Sequence, residues 1–280
     1  PEDVMAWTDF LDFLRRYDIA AKAFRTGEDY AEVVADYLTR CRDGGAIYVE
    51  LTCSPDHARN QGIPPDEHLA GVAAGIDAVD GIDARMVLTG LRHLGPEAVL
   101  RTARYAASRP HPYVVGFNLA GDEAGFPADL FHDAFAVAHD AGLGITCHAG
   151  EWDGPASVRR ALALPGVTRI GHGVRAIEDP ALVAELAERG TVLEVCPTSN
   201  VVLGAFTWET HPLRALFDAG VKVTLGSDDP PWFGATLAGE HAAARDRFGF
   251  GEDELREVSR TAVEAAFCEE PLRQALRARL

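Results

Sequence analysis

The sequence is poor in positive charge, with 26 Lys and Arg against 43 Asp and Glu over 280 residues, a formal net charge of −17. Nucleic-acid binding depends on neutralising phosphates with basic side chains, so no nucleic-acid partner is expected. Nor does any apolar run approach the ~20 residues of a membrane span, and no signal peptide is recognisable. We therefore expect neither nucleic acid nor membrane as a partner; the sequence carries no signal for an oligomeric state.

Cysteine is scarce and irregularly placed. The chain has 5 cysteines, an odd number, and no two are spaced as Cys-x-x-Cys: Cys41, Cys53, Cys147, Cys196 and Cys268. This set argues against a disulfide framework and favours a reducing, cytoplasmic compartment.

Linkers and low-complexity tracts are absent too, because glycine and proline are scattered along the chain. An apolar fraction of 47% is ample for one large core. We therefore expect a single domain over residues 1–280.

What the sequence does contain is a regular alternation of short apolar runs and amphipathic segments. Most runs are apolar at consecutive positions, which is typical of parallel strands buried on both faces. Most helical segments begin at or beside proline, which has no N–H to leave unpaired in the first turn. Strands are predicted at Ala46–Thr52, Ala84–Thr89, Tyr113–Leu119, Gly144–His148, Thr168–Gly171, Val192–Val195 and Lys222–Ser227. Helices are predicted at Val4–Arg16, Glu28–Cys41, Pro65–Ala78, Pro96–Ala106, Pro127–Ala141, Pro155–Leu164, Pro180–Arg189 and Pro212–Ala219, with further helices in the tail Leu237–Leu280.

This alternation predicts an α/β fold with a parallel sheet. A closed (β/α)8 TIM barrel with extra C-terminal helices is the main expectation, and an open doubly wound sheet is its rival. The barrel needs eight strands and the sequence supplies seven. Because the chain opens with helical sequence, we expect the first strand to precede Pro1.

Polar residues stand at five predicted strand ends, where the chemistry of such a barrel is normally found. Each has an ordinary structural interpretation alone, such as a turn or a cap. Together they converge on one mouth, and accidental convergence is much less probable. The segments are Asn118–Glu123, His148–Glu151, Gly171–Gly173, Cys196–Asn200 and Ser227–Pro230.

These residue types suit metal-assisted hydrolysis. Histidine nitrogen and aspartate oxygen are ordinary zinc ligands, and a catalytic zinc ion lowers the pKa of a water toward neutrality. A second histidine can orient or deprotonate that water, while a carboxylic acid protonates the substrate. The domain would then be a metal-dependent hydrolase barrel.

At these residues the sequence strongly resembles the adenosine deaminase family of the amidohydrolase superfamily. The matching motifs are Tyr48-Val49-Glu50 with Ser54-Pro55, Leu119-Ala120-Gly121-Asp122-Glu123, Cys147-His148-Ala149-Gly150-Glu151, Ile170-Gly171-His172-Gly173, Glu194-Val195-Cys196-Pro197-Thr198-Ser199-Asn200 and Ser227-Asp228-Asp229-Pro230. As a set they are highly specific and cover nearly the whole chain.

The resemblance implies a role for each residue. His148 and Asp228 would bind one zinc ion, and Glu151 would deliver a proton to purine N1. His172 would position the attacking water and act on its proton. Asp229 would hydrogen-bond purine N7 and steer the hydroxide, and the backbone N–H of Gly121 would reach N3.

The sequence departs from the family pattern in two ways. The His-x-His pair of the first strand, expected to supply further zinc ligands, is absent, and we expect it upstream of Pro1 together with that strand. Asn118 stands where the family often has aspartate, which is expected to tune activity. If the metal is truly lost, the alternative is a non-catalytic nucleoside-binding relative.

The substrate implied is adenosine or a closely related adenine nucleoside, because Leu119–Glu123 is closer to the nucleoside deaminases. Adenine, aminodeoxyfutalosine or another modified adenosine are the alternatives. Aromatic residues near the predicted mouth either stack on a purine or pack loops: Trp152, Phe206, Trp208, Trp232 and Phe233. Other histidines are expected to be structural or at the surface: His57, His93, His111, His132, His139 and His241.

Overall fold

The computed structural model describes residues 4–280, so the first three residues of the predicted domain lie outside the described part of the chain. Among residues 4–280, no helix combines the length and apolarity needed to cross a membrane. All five cysteines are buried and free.

Seven parallel strands form one sheet in which each strand pairs with its neighbours in sequence. Every predicted strand is present, with ends shifted by no more than about two residues. Their inward-facing and outward-facing side chains are mostly buried, because helices cover the sheet. The strands are β1 Tyr48–Cys53, β2 Asp83–Leu91, β3 Val114–Ala120, β4 Gly144–Ala149, β5 Val167–His172, β6 Val192–Val195 and β7 Lys222–Leu225.

Between the strands run the crossover helices of a βα repeat, and the tail is helical as predicted. The longer helices are α1 Phe10–Ala21, α2 Gly27–Asp43, α4 Pro65–Asp77, α5 Pro96–Ala107, α6 His132–Asp140, α7 Pro155–Leu162, α8 Pro180–Arg189, α12 Leu237–Phe248, α13 Glu252–Ala265 and α14 Glu270–Arg277. The short ones are α3 Pro55–Asn60, α9 Pro197–Val202, α10 Leu213–Asp218 and α11 Pro230–Phe233. Three of these, α3, α9 and α11, were not predicted and directly follow strand ends.

The first helix is displaced from its predicted position at Val4–Arg16. It begins at Phe10 because the Asp9 side chain caps it, accepting a hydrogen bond from the backbone N–H of Asp12 at 2.9 Å. The predicted segment Pro127–Ala141 is also divided. Pro127 adopts φ −56° and ψ 146°, and a 3-10 turn at Ala128–Phe131 precedes α6.

An ionic cluster lies inside the sheet one layer below the strand ends, and we call it the interior ion cluster: Glu50, Thr146, Arg169 and Glu194. Arg169 bridges the carboxylates of Glu50 at 2.6 Å and Glu194 at 2.8 Å. Its guanidinium also lies 3.4 Å from the ring centroid of Phe267. The tail is thereby fastened to the interior, since Glu50 also accepts the backbone N–H of Phe267.

Candidate active site

The backbone is left-handed at two of the predicted site residues. His172 has φ 61° and Asp228 has φ 53°, conformations that non-glycine residues rarely adopt. Such strain persists only where the surroundings hold it, and it clusters at functional sites. His172 ends β5 and Asp228 lies three residues after β7, so both strained residues stand at the mouth.

His148 lies next to the end of β4 and is oriented by Asn118 of β3. The His148 Nδ1 atom lies 3.1 Å from Asn118 Oδ1, which leaves Nε2 free toward the mouth. The ring packs over Gly171, where a Cβ atom would lie only 2.7 Å from Nδ1. Burial, then the neighbouring His172 and Arg92, holds the pKa of His148 well below its usual range. His148 is therefore neutral, as a metal ligand must be.

Glu151, His172 and Asp228 converge on one point. His172 Nε2 lies 3.7 Å from Glu151 Oε2 and 3.8 Å from Asp228 Oδ2. Burial raises the pKa of Glu151 to about 7, with the charge of Asp228 adding to it and His172 opposing it. Burial alone would lower the pKa of His172, but Glu151 and Asp228 outweigh it and raise the pKa. Such a pair of perturbed groups is typical of acid–base sites.

The loop carrying Glu151 is held by the buried carboxylate of Glu123. Its oxygens accept the backbone N–H groups of Glu151 at 3.1 Å, Trp152 at 2.8 Å and Asp153 at 3.1 Å. It also accepts the N–H of Gly150 and the Ser157 hydroxyl. Glu123 therefore fixes the position of Glu151 through the backbone N–H groups of its loop.

The two aspartates after β7 have different partners. Ser199 of α9 donates its hydroxyl to Asp228 Oδ2 at 2.6 Å. Asp229 is hydrogen-bonded to the hydroxyl of Tyr17 in α1. Burial, then the charge of Asp228, raises the pKa of Asp229 well above its usual range. Burial beside a second carboxyl group therefore favours the protonated form of Asp229.

An aromatic layer covers this mouth and is carried largely by α1. Phe10 stacks on Trp152 with ring centroids 4.8 Å apart, and Tyr17 stacks on Trp232 at 5.6 Å. Phe13 packs between Trp232 and Phe233, at 5.4 Å from each. We call these residues and Trp7 the aromatic layer. Two of the aromatic residues singled out in the sequence lie elsewhere: Phe206 packs on His211 and Trp208 on Phe248.

The donors in the mouth suit zinc. His172, Cys196 and Asp228 each present a ligand atom, and these atoms lie within 4.8 Å of one another. Burial raises the pKa of the Cys196 thiol well above its usual range, which disfavours the thiolate that a metal needs. The nitrogen of His148 and the oxygens of Asp228 are also donor types that zinc accepts, and their assignment as its ligands stays a prediction.

Gly121 follows β3 and has φ 104°, which favours glycine. A Cβ atom there would lie 2.6 Å from His93 Nδ1, so close packing also requires glycine. Its contact with a substrate remains a prediction.

Sequence reasoning assigned no role to several residues that support the site. Glu123, Ser199 and Asn200 lie inside motifs that were recognised, so their neighbourhood was a signal. Tyr17 and His211 lie outside every motif, and only folding brings Tyr17 to the mouth and places His211 behind His172.

A parallel α/β sheet with histidines and acids at its strand ends is the arrangement of a barrel hydrolase. Comparisons with known proteins define the class more closely. The sequence model of the family described as adenosine deaminase matches residues 2–280. An adenine deaminase from Sinorhizobium medicae is 52% identical over 278 residues, covering 98% of this chain and 86% of that protein.

Solved structures agree with this assignment. The crystal structure of adenine deaminase from Arthrobacter aurescens superposes with a TM-score of 0.91 at 26% identity, covering 98% of this chain and 85% of that one. A zinc-bound amidohydrolase from Burkholderia ambifaria superposes with a TM-score of 0.86 at 26% identity, covering 91% and 72%.

The chain belongs to the adenosine deaminase family of the amidohydrolase superfamily. It is a hydrolytic deaminase that acts on a C–N bond, and its fold is that of the TIM-barrel amidohydrolases. Both the family and the fold class predicted from sequence are confirmed.

Proposed function

We propose that this chain removes the 6-amino group of free adenine by hydrolysis: adenine and water give the 6-oxopurine and ammonia. The relative at 52% identity and the superposing structure from Arthrobacter aurescens are both adenine deaminases, which supports the base as substrate. The comparisons thus favour one of the alternatives from the sequence over the nucleoside.

The main support for the proposed chemistry is that two acids in the mouth, Glu151 and Asp229, have raised pKa values. Purine N1 and N7 are both hydrogen-bond acceptors, so each needs a donor. The pKa of Glu151 is raised to about 7 and that of Asp229 well above its usual range, so both favour the protonated form that donates. Glu151 would protonate N1 and make C6 a better electrophile, while Asp229 would hold N7.

The remaining residues place the attacking oxygen. His148 and Asp228 are the residues that would hold zinc, which when bound supplies Lewis acidity and a water of lowered pKa. His172 Nε2, which faces both Glu151 and Asp228, would hydrogen-bond the attacking oxygen. Gly121 would offer its backbone N–H to N3.

The aromatic layer is suited to a flat purine ring. Tyr17 is hydrogen-bonded to Asp229, the proposed N7 ligand, and stacks on Trp232. Aromatic side chains of this kind bind planar rings by stacking. Adenosine remains the second candidate, because Leu119–Glu123 resembles the nucleoside enzymes.

Ammonia release tests the proposal. The zinc-supplied protein is assayed on adenine, adenosine and modified adenosines, with Glu151→Gln and the exposed Glu188→Gln as matched variants. We expect kcat/KM for adenine to exceed that for adenosine by at least about 100-fold. Glu151→Gln should lower kcat by roughly 10²–10⁴-fold, the usual contribution of a general acid, and Glu188→Gln should not change it.

A preference for adenosine would replace the proposed substrate with the nucleoside. Equal low rates for wild type and Glu151→Gln on every purine would favour the non-catalytic alternative.

A further inference from the structure

Behind His172 lies a chain of hydrogen bonds that reaches away from the mouth. The backbone N–H of Leu213 donates to His211 Nδ1 at 3.2 Å. His211 Nε2 lies 3.1 Å from Asn200 Oδ1, and Asn200 Nδ2 lies 3.2 Å from His172 Nδ1. His211, Asn200 and His172 are 6%, 0% and 2% exposed, respectively, so water does not compete for these hydrogen bonds.

One end of the chain sets the direction of every bond. A backbone N–H only donates, so His211 Nδ1 must accept. A neutral imidazole has a single N–H, which must then be on Nε2 and must donate to Asn200 Oδ1. The other side of the Asn200 amide is therefore its NH2 group, which donates to His172 Nδ1. Burial lowers the pKa of His211 to about 4, so the neutral form assumed here is the stable one.

Electrostatics on the far side of His172 agree with this direction. Nδ1 of His172 faces the Asn200 amide, whereas Nε2 faces the carboxyl groups of Glu151 and Asp228. A proton is favoured beside carboxylates and disfavoured beside an N–H donor. We call this chain of hydrogen bonds from Leu213 to His172 the relay. Packing also fixes it, because the His211 ring lies against Phe206 and Phe248, with ring centroids 5.6 Å and 5.4 Å away.

We propose that Asn200 and His211 are positioning residues that hold neutral His172 in its Nε2–H tautomer. His172 then meets the attacking oxygen as a hydrogen-bond donor and stabilises negative charge on it. In this tautomer Nε2 has no lone pair with which to take the proton of water. That proton goes instead to the Glu151 carboxylate, which can accept it once Glu151 has given its own proton to N1, and this differs from the role that the family resemblance implied for His172. The kinetic part of the proposal rests on the proposed deamination, whereas the tautomer does not.

Nitrogen NMR of the metal-free protein tests the tautomer directly. With 15N-labelled histidine, the His172 signals are assigned by their loss in His172→Gln and followed through a pH titration, and the tautomer is determined at the alkaline end, where the titration of the ring is complete. We expect wild type to carry the proton on Nε2. In Asn200→Asp, a carboxylate faces Nδ1 in place of an NH2 group, and the proton should move to Nδ1. A wild-type ring protonated on Nδ1 would overturn the proposal.

Kinetics separate positioning from packing. His211→Leu cuts the relay, while His211→Gln keeps an N–H donor near the Nε2 position. We expect His211→Leu to lower kcat by roughly 10–100-fold with KM within threefold, and His211→Gln to remain within threefold of wild type. The control is His68→Leu, since His68 is equally buried, has its pKa lowered to about 4 and packs on Tyr30 outside the relay.

Equal losses in His211→Leu, His211→Gln and His68→Leu would reduce the relay to a packing element and overturn its positioning role. If His211→Leu does not fold, wild type, His211→Gln and Asn200→Asp decide through the NMR signature. If no purine is deaminated, the NMR measurement still decides the tautomer, so failure of the proposed function is distinguishable from failure of the relay.

Discussion

Two polar clusters lie inside the sheet, and they differ in how far their acidic groups are compensated by positive charge. In the interior ion cluster, Arg169 stands between the two carboxylates of Glu50 and Glu194, and charge is compensated at short range. In the mouth, Glu151, Asp228 and Asp229 face histidines, one another and the hydroxyl of Tyr17. Two of these three acids have raised pKa values.

The two clusters lie in neighbouring layers of side chains inside the sheet. Thr146 belongs to the interior cluster, and His148, two residues later in β4, belongs to the mouth. The same fold can therefore neutralise buried acids or leave them poorly neutralised, depending on whether a guanidinium is supplied. The poorly neutralised acids of the mouth lower the stability of the folded protein. Their raised pKa values, however, suit them to proton transfer.

The largest effect on stability is expected from breaking the compensated cluster. Arg169→Met removes a buried cation from between two partly buried carboxylates, so the free energy of unfolding should fall by up to roughly 3–5 kcal/mol. Chemical denaturation measures it. Arg159 is the matched control, because it also pairs with two acids, at 2.7 Å and 2.8 Å, but with its side chain 42% exposed.

Arg159→Met should cost at most about 1 kcal/mol. The triple variant Glu50→Gln, Arg169→Met, Glu194→Gln should recover much of the loss, since no unpaired charge then remains. If Arg169→Met and Arg159→Met were equally mild, the contrast between the clusters would be lost.

In the mouth of the metal-free protein, by contrast, removing an acidic group is expected to increase stability. The pKa of Glu151 rises from 4.5 to about 7 on folding, so the protonated form is stabilised. Its contribution is fully present below pH 4.5 and is lost as the pH rises through 7. Glu151→Gln removes that loss, and above pH 7 the variant should be more stable by up to about 3 kcal/mol.

Thermal unfolding at a series of pH values checks this. The advantage of Glu151→Gln over wild type should grow between pH 4.5 and 7 and then level off, while Glu188→Gln should show no such trend. A variant less stable than wild type at pH 8 would contradict the view that Glu151 is held at a cost.

A smaller effect is expected at Glu123, which belongs to the mouth but is fully hydrogen-bonded. In Glu123→Gln an amide NH2 replaces one acceptor oxygen and meets backbone N–H groups of the Glu151 loop. We expect a loss of about 1–3 kcal/mol in unfolding free energy and a roughly tenfold lower kcat as Glu151 shifts. Denaturation and ammonia release measure the two. Unchanged kcat with lowered stability would show that the loop position does not matter for chemistry.

The sequence predicted the fold well because its signals are local. Runs of consecutive apolar residues located all seven strands, and prolines marked the beginnings of most of the helices between them. It was less accurate where helix caps and loops set the boundaries: Asp9 set the start of α1, and a 3-10 turn at Ala128–Phe131 separates Pro127 from α6. The short helices α3, α9 and α11 had no amphipathic period to detect.

For the site, the sequence by itself predicted which residues lie together at the strand ends, because several polar residues at consecutive strand ends are improbable without a shared role. His148, Glu151 and Asp228 do converge with His172, and Asp229 lies beside them under Tyr17. Their supports were decided only by the tertiary structure. His211, Tyr17 and Glu123 act across 39, 212 and 28 positions of the chain, on His172, Asp229 and Glu151 respectively. No local pattern records such contacts, because hydrogen-bond direction and burial exist only once distant segments have packed together.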